Sequence, residues 1–125
     1  MSPRFAYDVT YDPPAPVVPL RVSPPGNGAG ALVSGLVDSG ADCSLVPPSL
    51  AHALSLPQVG RVEVRGVGGG GGSAPAYAGR VDVGRTTAFA RLVAFGDEVI
   101  VGRDLLNRIT AVLVGPSHEL EVVDP

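Results

Sequence analysis

The chain is short, acidic and rich in valine, glycine and proline. Its 125 residues are of one-domain length, and a hydrophobic content of 45% suffices for one core. A net charge of −3, without any lysine, offers neither a basic nucleic-acid surface nor a phosphate loop. The lone Cys43 excludes an intrachain disulfide, and His52 and His118 lack ligand spacing, so we expect no metal and no cofactor.

The same composition predicts no membrane association. Residues 1–5 lack the apolar stretch of a signal peptide, and no segment approaches the ~20 apolar residues that span a bilayer. We therefore expect a cytoplasmic protein.

The first half of the chain predicts short strands separated by turns. Alternation places Phe5, Tyr7, Val9 and Tyr11 on one face of a half-buried strand. Pro19 indicates an edge or a bulge in the second strand. The strands predicted in this half are residues 4–11, 17–22, 31–37 and 61–65, with a short apolar segment at 44–46 and a helix at 49–54 that begins after Pro48.

The second half continues in the same style after the glycine-rich residues 66–73. Its predicted strands are residues 76–83, 87–95, 98–101, 110–114 and 119–123, with a short helix at 103–108. About nine short strands and two short helices predict an all-β, closed architecture.

Two motifs carry the candidate chemistry. In the first, Leu36 and Val37 lead into Asp38-Ser39-Gly40-Ala41-Asp42, which suits a carboxylate held at the end of a strand. An Asp that merely initiates a turn gives the same tripeptide. In the second, the apolar segment 99–101 ends at Gly102 and a helix opens with Arg103-Asp104.

The order of these motifs around a glycine-rich segment resembles the retropepsin-like (retroviral-type) aspartic proteases. The resemblance covers roughly residues 15–110 and implies a small acid-protease β-barrel, with residues 1–125 forming one half of a two-fold homodimer. It also implies a peptide or protein substrate.

The expected chemistry explains why a partner is needed. Amide hydrolysis by carboxylates uses one ionised and one protonated group about 3 Å apart. The chain has one Asp-Ser-Gly, so a homodimer would pair Asp38 with its symmetry mate around one water. The resemblance implies that Ser39 hydrogen-bonds across the axis, and that segments 36–37 and 99–101 support the loop.

Residues beside Asp38 suggest finer properties. Ala41 cannot donate a hydrogen bond to the ionised pair, so we expect a mildly acidic pH optimum. The resemblance implies that Asp42 pairs with Arg103, next to Gly102, and accepts from substrate amides; two solvated charges are the alternative. Asp104 suits the helix start, and Cys43 suits a small buried hydrophobe or, less simply, a redox switch.

The glycine-rich segment has two interpretations. As a flap it would close over substrate through Arg65, Gly66, Val67, Gly68 and Gly69. As a linker it would merely join two strands. The run of glycines at 68–72 is longer than a tight flap needs.

The C-terminal hairpin, residues 110–123, extends beyond the compact viral enzymes. We expect Leu120, Val122 and Val123 to pair strands across the two-fold, with residues 4–11 at the same interface or outside it.

Three functions fit these observations to different degrees. The first is an aspartic endopeptidase with a largely apolar cleft that prefers apolar residues beside the cut bond. The second is a non-catalytic peptide-binding or dimerisation module on the same scaffold. The third is a β-domain without any link to proteases, which requires both motifs to be accidental.

Overall fold

The protein is built mainly from β-strands. The computed structural model describes residues 2–26, 28–65 and 71–124. The strands are β1 (Arg4–Ala6), β2 (Val17–Ser23), β3 (Ala31–Val37), β4 (Leu45–Val46), β5 (Gln58–Arg65), β6 (Gly71–Val83), β7 (Thr86–Ala94), β8 (Ile100–Val101), β9 (Thr110–Val114) and β10 (Glu119–Val123). The helices are α1 (Pro48–Ala53) and α2 (Arg103–Leu106), and a 3₁₀ turn spans Gly115–Ser117. These elements confirm the all-β prediction.

Six strands close into a barrel. Their order is β2-β3-β8-β4-β7-β6, and β6 returns to pair with β2 through Arg21–Ser23. Within the described residues, β5 pairs with β6 alone. Pro19 faces Ser34 of β3 and lies outside the stretch of β2 that pairs with β6, which confirms its expected edge position.

The core fills the barrel with alternating side chains. Val18, Leu20 and Val22 point inward from β2 because successive strand residues face opposite sides. Leu92 and Val101 meet them there. Each fully buried Leu or Val stabilises the fold by about 1.5–3 kcal/mol.

A second, three-stranded sheet joins the two ends of the chain. β10 lies in its centre, with β1 on one edge and β9 on the other. Leu120 and Val122 pack into the core. The prediction that β10 pairs across a two-fold is therefore wrong, because both of its edges are occupied within one chain. On β9, by contrast, Val112 is 43% exposed and Leu113 is 58% exposed.

The N-terminal strand is shorter than predicted. β1 ends at Ala6, and the chain turns back so that Asp8 bridges Ala15. The Asp8 carboxylate accepts hydrogen bonds from the amide and hydroxyl of Thr10, which stabilises the turn and lowers the pKa of Asp8. Val9 is consequently 79% exposed instead of half-buried.

The long hairpin of β5 and β6 also differs from prediction. Its pairing runs from Gln58 opposite Tyr77 to Arg65 opposite Gly71. Gly71 and Gly72 therefore belong to a strand, although glycine disfavours strands, because β5 supplies a paired partner. Earlier in the chain, Leu45 and Val46 form a strand of their own between β7 and β8.

Candidate active site

Asp38 lies where β3 leaves the barrel. β3 runs parallel to β8, with Leu36 opposite Ile100 and Val37 opposite Val101. The Asp38 amide donates to the Val101 carbonyl at 3.0 Å, which continues this pairing for one residue. These contacts confirm the prediction that the two apolar segments support the loop.

The loop itself is a tight turn around an exposed carboxylate. The Gly40 amide donates to Asp38 Oδ1 at 2.9 Å, and the Ala41 amide donates to the Asp38 carbonyl at 3.2 Å. Asp38, Ser39 and Gly40 are all exposed in the single chain. Asp38 therefore does form a turn, as the alternative interpretation predicted, and its carboxylate remains exposed on the surface of the single chain.

The second motif docks directly onto this turn. The Arg103 amide donates to the Ala41 carbonyl at 2.8 Å. A Cβ on Gly102 would lie 2.5 Å from the Cys43 carbonyl oxygen, closer than real side chains approach. Only glycine at 102 lets α2 begin this close to the loop.

A buried hydrogen-bond cluster locks the two motifs together. Ser44, 2% exposed, donates through Oγ to Asp104 Oδ1 at 2.7 Å and accepts from the Gly102 amide at 2.9 Å. The Ser44 amide also donates to Asp104 Oδ2 at 3.2 Å. Asp104 does accept from the Leu105 amide at the helix start, as predicted, but its link to Ser44 was missed. The one sequence signal for it is a polar Ser44 beside apolar Leu45 and Val46.

Arg103 does not form the expected ion pair with Asp42. Its Nη1 donates instead to the Ser39 carbonyl at 3.0 Å. The ion pairs found among residues 2–26, 28–65 and 71–124 lie elsewhere, at Arg4, Arg65 and Arg80. Within one chain, Arg103 therefore holds the backbone of the turn, while Asp42 stays exposed.

Cys43 occupies an intermediate position beside this turn. It packs against the small apolar cluster of Ala74, Ala76 and Val93 and is only partly buried. Burial, reinforced by the neighbouring Asp42 carboxylate, raises the pKa of the Cys43 thiol. The thiol is therefore a poor nucleophile at neutral pH, as its interpretation as a small hydrophobe requires.

Two cavities flank the Asp38 turn. The first measures about 450 Å³ and is lined by Asp42, Cys43, Glu63, Arg65 and Arg103. We call it the balanced cavity, because two acidic and two basic side chains line it. The acidic cavity measures about 550 Å³ and is lined by Asp38, Leu45, Phe95, Asp97, Glu98 and Ile100. The residues that line both cavities are Gly40, Ala41, Leu45, Val64 and Arg65.

The predicted substrate-binding residues fall into two groups, those that line a cavity and those outside the described residues. Ala41, Asp42 and Arg65 line at least one of the cavities, as a cleft requires. Gly66, Val67, Gly68 and Gly69 lie outside the described residues.

The sequence did not predict that the segment Phe95–Glu98 belongs to the site. It connects β7 to β8 and brings Asp97 and Glu98 to the cavity that holds Asp38. The Tyr11 hydroxyl donates to Glu98 Oε1, and this hydrogen bond to a carboxylate raises the pKa of Tyr11 to about 12. The phenol therefore remains a donor throughout the physiological range.

Within the described part of the chain, no group of three or more His, Cys, Asp or Glu side chains could hold a metal ion. No helix of the described residues is long and apolar enough to cross a membrane.

Comparison with known proteins agrees with this geometry. The model of the family described as Aspartyl protease matches residues 18–105, more than half of the chain. The matched region begins in β2 and ends in α2, so it contains Asp38 and the segment that docks on it. A search of curated proteins found no match.

Proposed function

We propose that this chain, which belongs to the aspartyl protease family, is one half of a homodimeric endopeptidase in which two copies of Asp38 activate a water. The observation that carries the proposal is the Asp38 turn. Its carboxylate is exposed beside an open cavity, while its backbone is tied to Val101 and Arg103 supports it.

The reaction follows from two carboxyl groups sharing a proton. About 3 Å apart, they cannot both ionise, so the pair titrates jointly. The ionised carboxylate takes a proton from the water, and the water oxygen bonds to the peptide carbonyl carbon. The protonated carboxyl group donates a hydrogen bond to the carbonyl oxygen. Breakdown of the tetrahedral intermediate breaks the C–N bond, and the leaving nitrogen takes up a proton from the pair.

The proposed dimer interface lies beside β9. Within the described residues, β9 pairs only with β10, so its outer edge is free. An apolar cavity of about 440 Å³ adjoins it, lined by Pro16, Val37, Ser39, Leu106, Ile109 and Leu113. An isologous contact that covered this cavity would place both copies of Ser39 near the two-fold, with Asp38 one residue away.

The remaining site residues act around this pair. In this proposal Ser39 hydrogen-bonds across the axis, Gly40 shapes the turn, and Gly102 and Arg103 hold it from below. Ala41 and Asp42 bind the substrate backbone on the cleft floor.

The flap would supply the other wall of the cleft. Arg65 borders both cavities at the end of β5. With Gly66, Val67, Gly68 and Gly69 it would close over the peptide and exclude water.

The proposed pH optimum is mildly acidic. Alanine at 41 offers no hydroxyl to stabilise the ionised pair. Ala41→Thr should shift the optimum of kcat/KM toward acid. An optimum that stays in place would contradict this role.

The decisive experiment compares wild type with Asp38→Asn on a mixed peptide library from about pH 3 to about pH 8. Asp124→Asn makes the same chemical change outside the site and serves as the control. We expect cleavage by wild type and control, beside apolar residues, and none by a folded, dimeric Asp38→Asn.

Other outcomes divide clearly. Cleavage that survives in Asp38→Asn would overturn the proposed mechanism. A dimeric wild type that binds peptides but cleaves none would favour the non-catalytic binding module.

A further inference from the structure

The acidic cavity has more negative than positive lining residues, whereas the balanced cavity has equal numbers of both. Among the described residues that line this cavity, Asp97 and Glu98 accompany Asp38, and Arg65 is the one cation. Arg65 also lines the balanced cavity and forms an exposed ion pair with Glu63 there, 3.7 Å away. The balanced cavity opposes Asp42 and Glu63 with Arg65 and Arg103, two charges of each sign. An approaching cation is therefore favoured on one side of the turn only.

Neither Asp97 nor Glu98 forms an ion pair with a cation in the described part of the chain. Among the residues that the structure describes, all ion pairs involve Arg4, Arg65 or Arg80, with other acids as partners. Glu98 is held in place by the Tyr11 hydroxyl, which leaves a second carboxylate oxygen to accept another hydrogen bond.

The same cavity also has apolar walls, and Asp38 is one of its lining residues. Leu45, Val64, Phe95 and Ile100 contribute hydrophobic surface to the cavity that Asp38 and the two acids also line. Phe95 is 43% exposed, so part of its ring is available to contact a bound side chain. A lysine or arginine suits such a site, because its aliphatic stem packs on apolar surface while its charge reaches the rim.

We propose, building on the protease function above, that the acidic cavity selects peptides carrying a lysine or arginine two positions from an apolar residue at the cut bond. In an extended peptide, side chains two residues apart face the same side, roughly 7 Å apart. The apolar residue would occupy the wall beside Asp38, and the basic residue would reach Asp97 and Glu98. The two-fold offers the same cavity on the other side of the bond.

The test uses two peptides identical except at that position, where one carries arginine and the other its uncharged isostere citrulline. Because exposed charges interact weakly, we expect wild type to prefer arginine by about fivefold in kcat/KM. The preference should fall to about one in Asp97→Asn/Glu98→Gln, and partly in Tyr11→Phe. Glu119→Gln, the same change outside the cavities, should retain it. High salt should weaken the preference by screening.

A second measurement separates this inference from the protease function. The affinity of Asp38→Asn for both peptides is measured directly, without cleavage. If wild type cleaves neither peptide but Asp38→Asn binds the arginine peptide more tightly, the protease proposal fails and the subsite stands. The subsite would be overturned by equal cleavage of both peptides, or by a preference for arginine that is unchanged in the double variant. It would also be overturned if wild type cleaved neither peptide and Asp38→Asn bound neither.

Discussion

The Asp38 turn and the β9 edge differ in how far contacts within one chain satisfy their hydrogen bonds and bury their side chains. The turn is bonded to Val101 and Arg103, and the Ser44–Asp104 cluster lies beneath it. β9 exposes Val112 and Leu113 and, in the described residues, has β10 alone as a partner. One chain therefore supports one carboxylate through its own hydrogen bonds. In our proposal, the apolar edge beside it is covered by a second copy of the chain.

The strongest way to break this comparison is Leu113→Asp. A leucine buried twice by a two-fold interface should contribute about 4 kcal/mol to dimerisation, so we expect roughly a thousandfold weaker dimer. The monomer should stay folded, because Leu113 is exposed in it. Sedimentation measures the dimer, and Leu32→Asp, another exposed leucine, is the control. A dimer as tight as wild type would place the interface elsewhere.

The support of the turn is tested by Gly102→Ala. The added Cβ would meet the Cys43 carbonyl oxygen at 2.5 Å. Overpacking of this kind should lower the free energy of unfolding by about 3 kcal/mol. Denaturant unfolding measures it, with Gly115→Ala as the control because its Cβ would meet nothing within 4 Å. Equal stability of the two variants would show that the loop and helix need no close approach.

The buried cluster predicts a smaller effect for Ser44→Ala. Removing Oγ leaves the Gly102 amide and the Asp104 carboxylate short of one partner each, at a cost of about 2 kcal/mol. Exposed Ser49→Ala should change stability by less than about 0.5 kcal/mol. The same denaturant measurement compares them. A Ser44→Ala protein as stable as Ser49→Ala would contradict the cluster's role.

The smallest effect concerns Cys43. The folded state raises the pKa of this thiol, so the reactive thiolate is scarcer than in the unfolded chain at the same pH. We expect alkylation near pH 8 to be several-fold slower in the native protein than in denaturant, and the difference should shrink at more alkaline pH. Equal native and unfolded rates near pH 8 would contradict the raised pKa.

Local sequence signals located most of the fold. Three strands, Ala31–Val37, Thr110–Val114 and Glu119–Val123, begin and end where predicted. Local reasoning failed at Asp8, whose side chain closes a turn inside an alternating pattern. It also failed at Gly71, which joins a strand only because β5 lies opposite.

The site was predictable in its parts and unpredictable in its connections. The Asp38 and Gly102 motifs were located, and the structure brings them together. The wrong pairing of Asp42 with Arg103 arose because a long arginine side chain can reach several acceptors, and the Ser39 carbonyl is the one it binds. Glu98 and its contact with Tyr11 join residues 87 positions apart, which no local pattern reveals.

The sequence by itself determined the strand pattern, the glycine positions and the single Asp-Ser-Gly, since each reflects a local backbone preference or a repeat of two residues. The family could be inferred from those features. Only the tertiary structure decided which strand edges remain free, which acid meets Ser44, and which carboxylates share a cavity with Asp38. Those outcomes depend on barrel closure, which brings distant segments together and leaves others exposed.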